Sequence, residues 1–85
     1  MYELLNRLTQ TFGVSGNEEP IRDLIISEIK DKVDEIKTDA LGNLIVLKKG
    51  NANAQDRKRF MIAAHMDEIG IIATHIDDKG YIRFS

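Results

Sequence analysis

Apolar residues recur at helical spacing from the start of the chain, at Leu4, Leu5, Leu8 and Phe12. Gly13 follows where a left-handed residue would close a helix. Val14-Ser15-Gly16-Asn17 breaks the pattern. Ser15 with Glu18 three residues later has the form of a capping box, and Pro20 falls in the first turn, where it is tolerated. A second stripe, Ile21, Leu24, Ile25, Ile29 and Val33, runs opposite Arg22, Asp23, Glu28 and Lys30. It predicts an amphipathic helix with one wet face and the other laid on a sheet, ending near Lys32.

After Asp34 the period changes. Glu35–Thr38 reads as a short strand, Asp39–Asn43 as a turn and Leu44–Leu47 as a second, more buried strand, which together make a hairpin. Residues 49–56 are small, polar and without periodicity, as in an exposed, mobile loop. Arg59–His65 is an apolar run charged only at its start, the signature of an interior strand covered on both faces, and it is predicted to be the most buried element. Ile69–Ile76 and Tyr81–Phe84 are rich in β-branched and aromatic residues and flank Asp77-Asp78-Lys79-Gly80, which predicts a hairpin with glycine in its turn. A lone two-stranded unit is marginal in water, so the pattern predicts covering elements further along the polypeptide. No internal repeat or low-complexity tract is present.

Composition narrows the class. Eighty-five residues suffice for one small domain with one modest core, burying about 60–65% of the unfolded chain's surface. Hydrophobic residues at 42% and charged residues at 31% exclude disordered, collagen-like and coiled-coil chains. Twelve basic against fourteen acidic residues give a net charge of −2 with no basic half, so the footprint of a nucleic-acid binder is missing. The absence of cysteine removes disulfides, thiolate zinc sites and cysteine nucleophiles, leaving His, Asp and Glu as metal ligands. With no basic-then-apolar leader and no run of 18 apolar residues, no membrane partner is expected and a cytoplasmic location is.

The chemistry concentrates at Ala63-Ala64-His65-Met66-Asp67-Glu68-Ile69-Gly70. Residues i and i+2 of a strand share a side, so His65 and Asp67 face one way, Met66 and Glu68 the other. A ligating imidazole needs its second nitrogen held, usually by a carboxylate, and Asp67 is spaced to do so. The same spacing also suits a buried, hydrogen-bonded histidine with Asp67 opening a turn. Glu68 is site-adjacent, His75 reads as an ordinary strand histidine, and Asp77-Asp78 reads as turn chemistry. Gly13, Gly16 and Gly42 suit caps and turns and do not make a phosphate loop. Glycoside hydrolysis needs two carboxyl groups facing each other about 5–9.5 Å apart, whereas Asp67 and Glu68 are neighbours on opposite faces.

The run AAHMDEIG, preceded by an apolar strand and followed by a β-rich stretch with a DDKG turn, resembles the tetrahedral, or deblocking, metallo-aminopeptidases. Members of that family are also called glutamyl aminopeptidases and, in some cases, cellulase M or endoglucanase. SGNEEPIRDLI and TDALGNLIV extend the resemblance over all 85 residues. It implies an α/β fold, with residues 1–70 the N-terminal part of a mixed-sheet zinc-aminopeptidase (phosphorylase/hydrolase-like) catalytic domain of two helices then three strands. Residues 71–85 are then the first hairpin of an inserted, here incomplete, β-rich dimerisation domain.

By the same resemblance, His65 matches a histidine that binds one of two divalent metal ions, and Asp67 matches the catalytic-centre aspartate that orients it. A bridging aspartate, a glutamate general base and further ligands are implied to come from later in the polypeptide. The ions are zinc or cobalt, with manganese also suited to imidazole. The implied activity is removal of N-terminal residues from peptide substrates by a homo-oligomer, a dimer-built dodecamer. A catalytic zinc site takes three protein ligands and a water, so this 85-residue chain alone is expected to be inactive. The alternative is a non-catalytic truncated module that self-associates or pairs with another chain through exposed edges.

Overall fold

Leu4, Leu5 and Leu8 share one side of α1 (Tyr2–Gln10), with Glu3 in its first turn and Arg7 in its last, each favourably placed on the helix dipole. The helix stops before Phe12. Thr11 takes an extended conformation (φ −85°, ψ 131°), and the hydroxyls of Thr9 and Thr11 donate back to the carbonyls of Leu5 and Arg7. Gly13 therefore does not cap the helix, and its φ is not positive.

Helix α2 (Glu19–Ile29) carries Pro20 at its start, where the missing N–H would be unpaired anyway, and ends sooner than its apolar stripe predicts. The expected capping box is not formed. Glu18 accepts from the backbone N–H of Gly16 at 2.8 Å, while the Ser15 hydroxyl is engaged elsewhere. Ile21 is the only buried side chain in the chain, seated over Gly13. A Cβ on Gly13 would lie 2.6 Å from Ile21 Cγ2, so the missing side chain is what lets helix and segment touch. An ion pair between Arg7 and Glu28, both partly exposed, ties α1 to α2.

The first hairpin forms as the pattern predicts. β1 (Glu35–Thr38) and β2 (Leu44–Leu47) pair antiparallel, with Thr38 opposite Leu44 and Glu35 opposite Leu47. Its turn is built by Asp39, whose Oδ1 accepts from the backbone N–H groups of Leu41 (3.0 Å) and Asn43 (2.8 Å), with Gly42 left-handed at φ 88°. The second hairpin, β3 (Ala73–Ile76) with β4 (Ile82–Phe84), repeats the device: Asp77 Oδ1 accepts from Lys79 and Tyr81, and Gly80 has φ 86°. Asp77 is thus turn chemistry, as read from the sequence. Arg22 on α2 donates to the Gly42 carbonyl at 3.0 Å and anchors the first turn.

The computed structural model describes residues 1–85, and the expectations for the sheet fail in it. The third strand is not formed: Arg59–His65 lies outside every helix and strand and is unpaired, with Phe60, Met61 and Ile62 89–95% exposed. An interior strand needs a neighbour on each edge, and residues 58–67 make no backbone-to-backbone hydrogen bond to any part of the chain. For the same reason the mixed sheet does not assemble, and the two hairpins remain separate two-stranded sheets. β2 is not the more buried strand either, since Ile45, Val46 and Leu47 are all exposed. A folded domain of this length has a radius of gyration of about 12 Å. This chain's is 18.1 Å, with extents of 66 × 29 × 16 Å.

Candidate metal centre

The site begins where the chain passes back beside its own start. Val14 and Glu68 form an isolated parallel bridge, and the Glu68 N–H donates to the Gly13 carbonyl at 2.9 Å. Glu68 Oε1 accepts in return from the Gly13 N–H at 3.3 Å. Gly70 completes the contact, since a Cβ there would lie 2.5 Å from Val14 Cγ1 and 2.8 Å from Val14 Cβ. Residues 13–15 are therefore held between Ile21 of α2 on one side and residues 68–70 on the other. Glu68, predicted to turn away from His65, is the side chain that pins this arrangement.

That placement brings three side chains into a row. The Ser15 hydroxyl donates to Asp67 Oδ2, and Asp67 Oδ1 lies 3.0 Å from His65 Nδ1. The Asp67 backbone carbonyl lies 3.1 Å from the same nitrogen. Both oxygens are acceptors, so Nδ1 carries a proton, and in the neutral imidazole Nε2 then keeps its lone pair. The His65 side chain is 86% exposed. Asp67 titrates below the ordinary carboxylate range, chiefly because Ser15 donates to it and next because His65 does. His65 and Asp67 border an open cleft whose other walls include Glu18, Ile25, Asn43 and Leu44.

Of the residues singled out in the sequence, His65 and Asp67 come together, Glu68 serves the scaffold, and His75 lies on β3 opposite Arg83, outside the row. Ser15 was missed as a member. Its position three residues before Glu18 pointed to a cap, and nothing local ties it to a residue 52 positions away. The row offers one imidazole nitrogen, Nε2, as a donor of the kind that divalent metal ions accept. It does not close a metal site, because no group of three or more His, Asp or Glu side chains converges anywhere in the chain.

A family model described as M42 glutamyl aminopeptidase matches residues 42–85, just over half of the chain, including the His65–Asp67 pair. The whole chain is 60% identical to a putative aminopeptidase of Acetivibrio thermocellus, spanning 24% of it. It is 46% identical over 83 residues to the lysyl aminopeptidase of Pyrococcus furiosus, covering 96% of this chain and 22% of that protein. A solved structure, the dodecamer of PhTET1-12s, superposes with a TM-score of 0.77 at 50% identity, covering 100% of this chain and 24% of that one. The chain spans about a quarter of the length of these relatives. It belongs to the M42 glutamyl aminopeptidase family.

Proposed function

We propose that this chain supplies one corner of the metal centre of an aminopeptidase that removes N-terminal residues from peptides. The carrying observation is the doubly anchored imidazole of His65. Its Nδ1–H is directed to the carboxylate and carbonyl oxygens of Asp67, which leaves Nε2 as the ring's free donor, on a side chain that borders the cleft and is 86% exposed. His65 would hold one divalent ion through Nε2, and Asp67 would fix the ring's tautomer and orientation and raise its basicity. A bound ion would supply Lewis acidity toward the scissile carbonyl. The chain's own residues contribute holding and orientation, and no group of three or more His, Asp or Glu side chains converges on an ion's position. With one donor against the three of a catalytic site, this chain by itself is expected to be inactive toward peptides.

Further parts of the reading rest on the family. The complete centre holds two divalent ions, and the working form is a homo-oligomer, as the dodecameric relative supports. Residues 71–85 begin a β-rich inserted domain. The test uses the polypeptide as its own cells make it, with whatever chains co-purify. Metal content and release of N-terminal residues from short peptides are measured for the native protein and for His65→Ala. The expected result is loss of at least one ion per subunit, with activity falling to background. Full metal content and undiminished activity in the variant would sink the reading.

A second reading has an observation of its own. Phe60, Met61, Ile62 and Ile69 present a nearly fully exposed apolar run, more than an isolated soluble chain tolerates comfortably, and this favours a module that only associates. Oligomers that grow with concentration and bind no metal would select it.

A further inference from the structure

We infer that Ser15 is a positioning residue for His65, acting through Asp67. The inference rests on the reading of His65 as a metal donor and adds the residue that steadies its support. A carboxylate that accepts only from an imidazole can still swing about its Cα–Cβ and Cβ–Cγ bonds. One that also accepts from a hydroxyl on its second oxygen is held at both ends. Asp67 is in the second situation: Oδ1 faces His65 Nδ1 at 3.0 Å and Oδ2 accepts from Ser15.

The position of Ser15 is itself fixed by contacts that do not involve the row. The Val14–Glu68 bridge, the Glu68 N–H to Gly13 carbonyl bond and the closeness of Gly70 to Val14 set the two segments side by side, one residue away from Ser15. The hydroxyl therefore does not create the local structure. It uses a scaffold already there to hold the carboxylate. The reach of the device is indirect, since Ser15 makes no hydrogen bond to His65.

Cobalt(II) reads this directly, through its visible absorption on binding and its affinity by competition with a chelator, on the polypeptide purified as its cells make it. Four proteins are compared: native, Ser15→Ala, Ser15→Thr and His65→Ala. Ser15 is exposed, so the threonine methyl group is not placed in a packed interior. Losing support behind a ligating histidine weakens metal binding by about 10–100-fold. Ser15→Ala, one step further out, is expected at the low end, about tenfold, with an altered cobalt spectrum and unchanged KM for the peptide. Ser15→Thr keeps the hydroxyl and is expected within about twofold of native, and His65→Ala is expected to lose more than Ser15→Ala. Native cobalt affinity in Ser15→Ala, with loss in His65→Ala, would overturn the role of Ser15 and leave His65 standing. Equal losses in Ser15→Ala and Ser15→Thr would overturn it too, by showing that the hydroxyl is not what matters. Unchanged binding in His65→Ala would overturn both readings together.

Discussion

Helix α2 and the run Arg59–Ala64 are both rich in aliphatic side chains, yet one folds against the chain and the other lies open to water. The helix closes its own i to i−4 hydrogen bonds, so it needs only something to cover one stripe, and Gly13 with its neighbours covers Ile21. The run has the composition of an interior strand, but a strand borrows every backbone partner from its neighbours, and residues 58–67 find none. Apolarity records where a segment is meant to be buried. Whether it forms depends on whether its hydrogen-bond partners are present.

Paired substitutions press on that contrast most strongly. Ile21→Ala should reduce amide protection in α2 by about 2 kcal/mol, the low end for isoleucine to alanine, because no other side chain around it is buried. Ile62→Ala, 95% exposed in this chain, should stay within about 0.5 kcal/mol. Hydrogen exchange of the two variants decides the matter, and equal effects at the two positions would break the distinction. The next effect in size is at the contact between segments. Gly70→Ala drives a Cβ into Val14 and should cost about 1–3 kcal/mol while separating residues 13–15 from 67–70. Gly80→Ala, with no atom within 4 Å, carries only the backbone cost of a left-handed residue, about 1–2 kcal/mol, and should leave the Ser15–Asp67 bond intact. Carboxyl carbon shifts of Asp67 in the two variants separate them.

The smallest effect is a titration. Asp67 and Asp39 both ionise below the ordinary value of 3.8, Asp67 because of Ser15 and then His65, Asp39 because of the Asn43 side chain and then its backbone. A depressed folded value makes each contribution complete above 3.8 and lost as the pH falls through the folded value below it. In Ser15→Ala the Asp67 carbon titration should move up toward 3.8 while that of Asp39 stays in place. Movement of both, or of neither, would count against the local cause assigned to Asp67.

Much of the fold was legible because it is local. The Asp39–Gly42 and Asp77–Gly80 turns are set by a carboxylate accepting from its own following backbone and by a glycine at positive φ, all within five residues. The α2 stripe was legible for the same reason. Reading failed where two chain segments compete or must meet. Ser15 had a local offer, the cap, and took a distant one at Asp67. Gly13 looked like a helix stop and proved to be a close-approach point for Ile21. The third strand was misjudged because hydrophobic pattern carries no information on who pairs with it. At the site, the spacing of His65 and Asp67 was visible, and the hydroxyl behind them was not.

The 52-residue separation of Ser15 and Asp67 also sets an order of events. At roughly 5–20 residues per second, a ribosome releases Asp67 about 3–10 s after Ser15. Both helices and the first hairpin can be finished while the imidazole is still unmade. The row exists only once the intervening chain has closed into a ring, and the exposed stretch from Asn51 to Asp56 lies on that ring's circumference, outside every helix and strand. A protease that cuts there would leave each helix and hairpin whole in its own piece and remove only the tether that holds Ser15 near Asp67. A nick at that loop therefore disconnects the histidine's support without altering a single side chain.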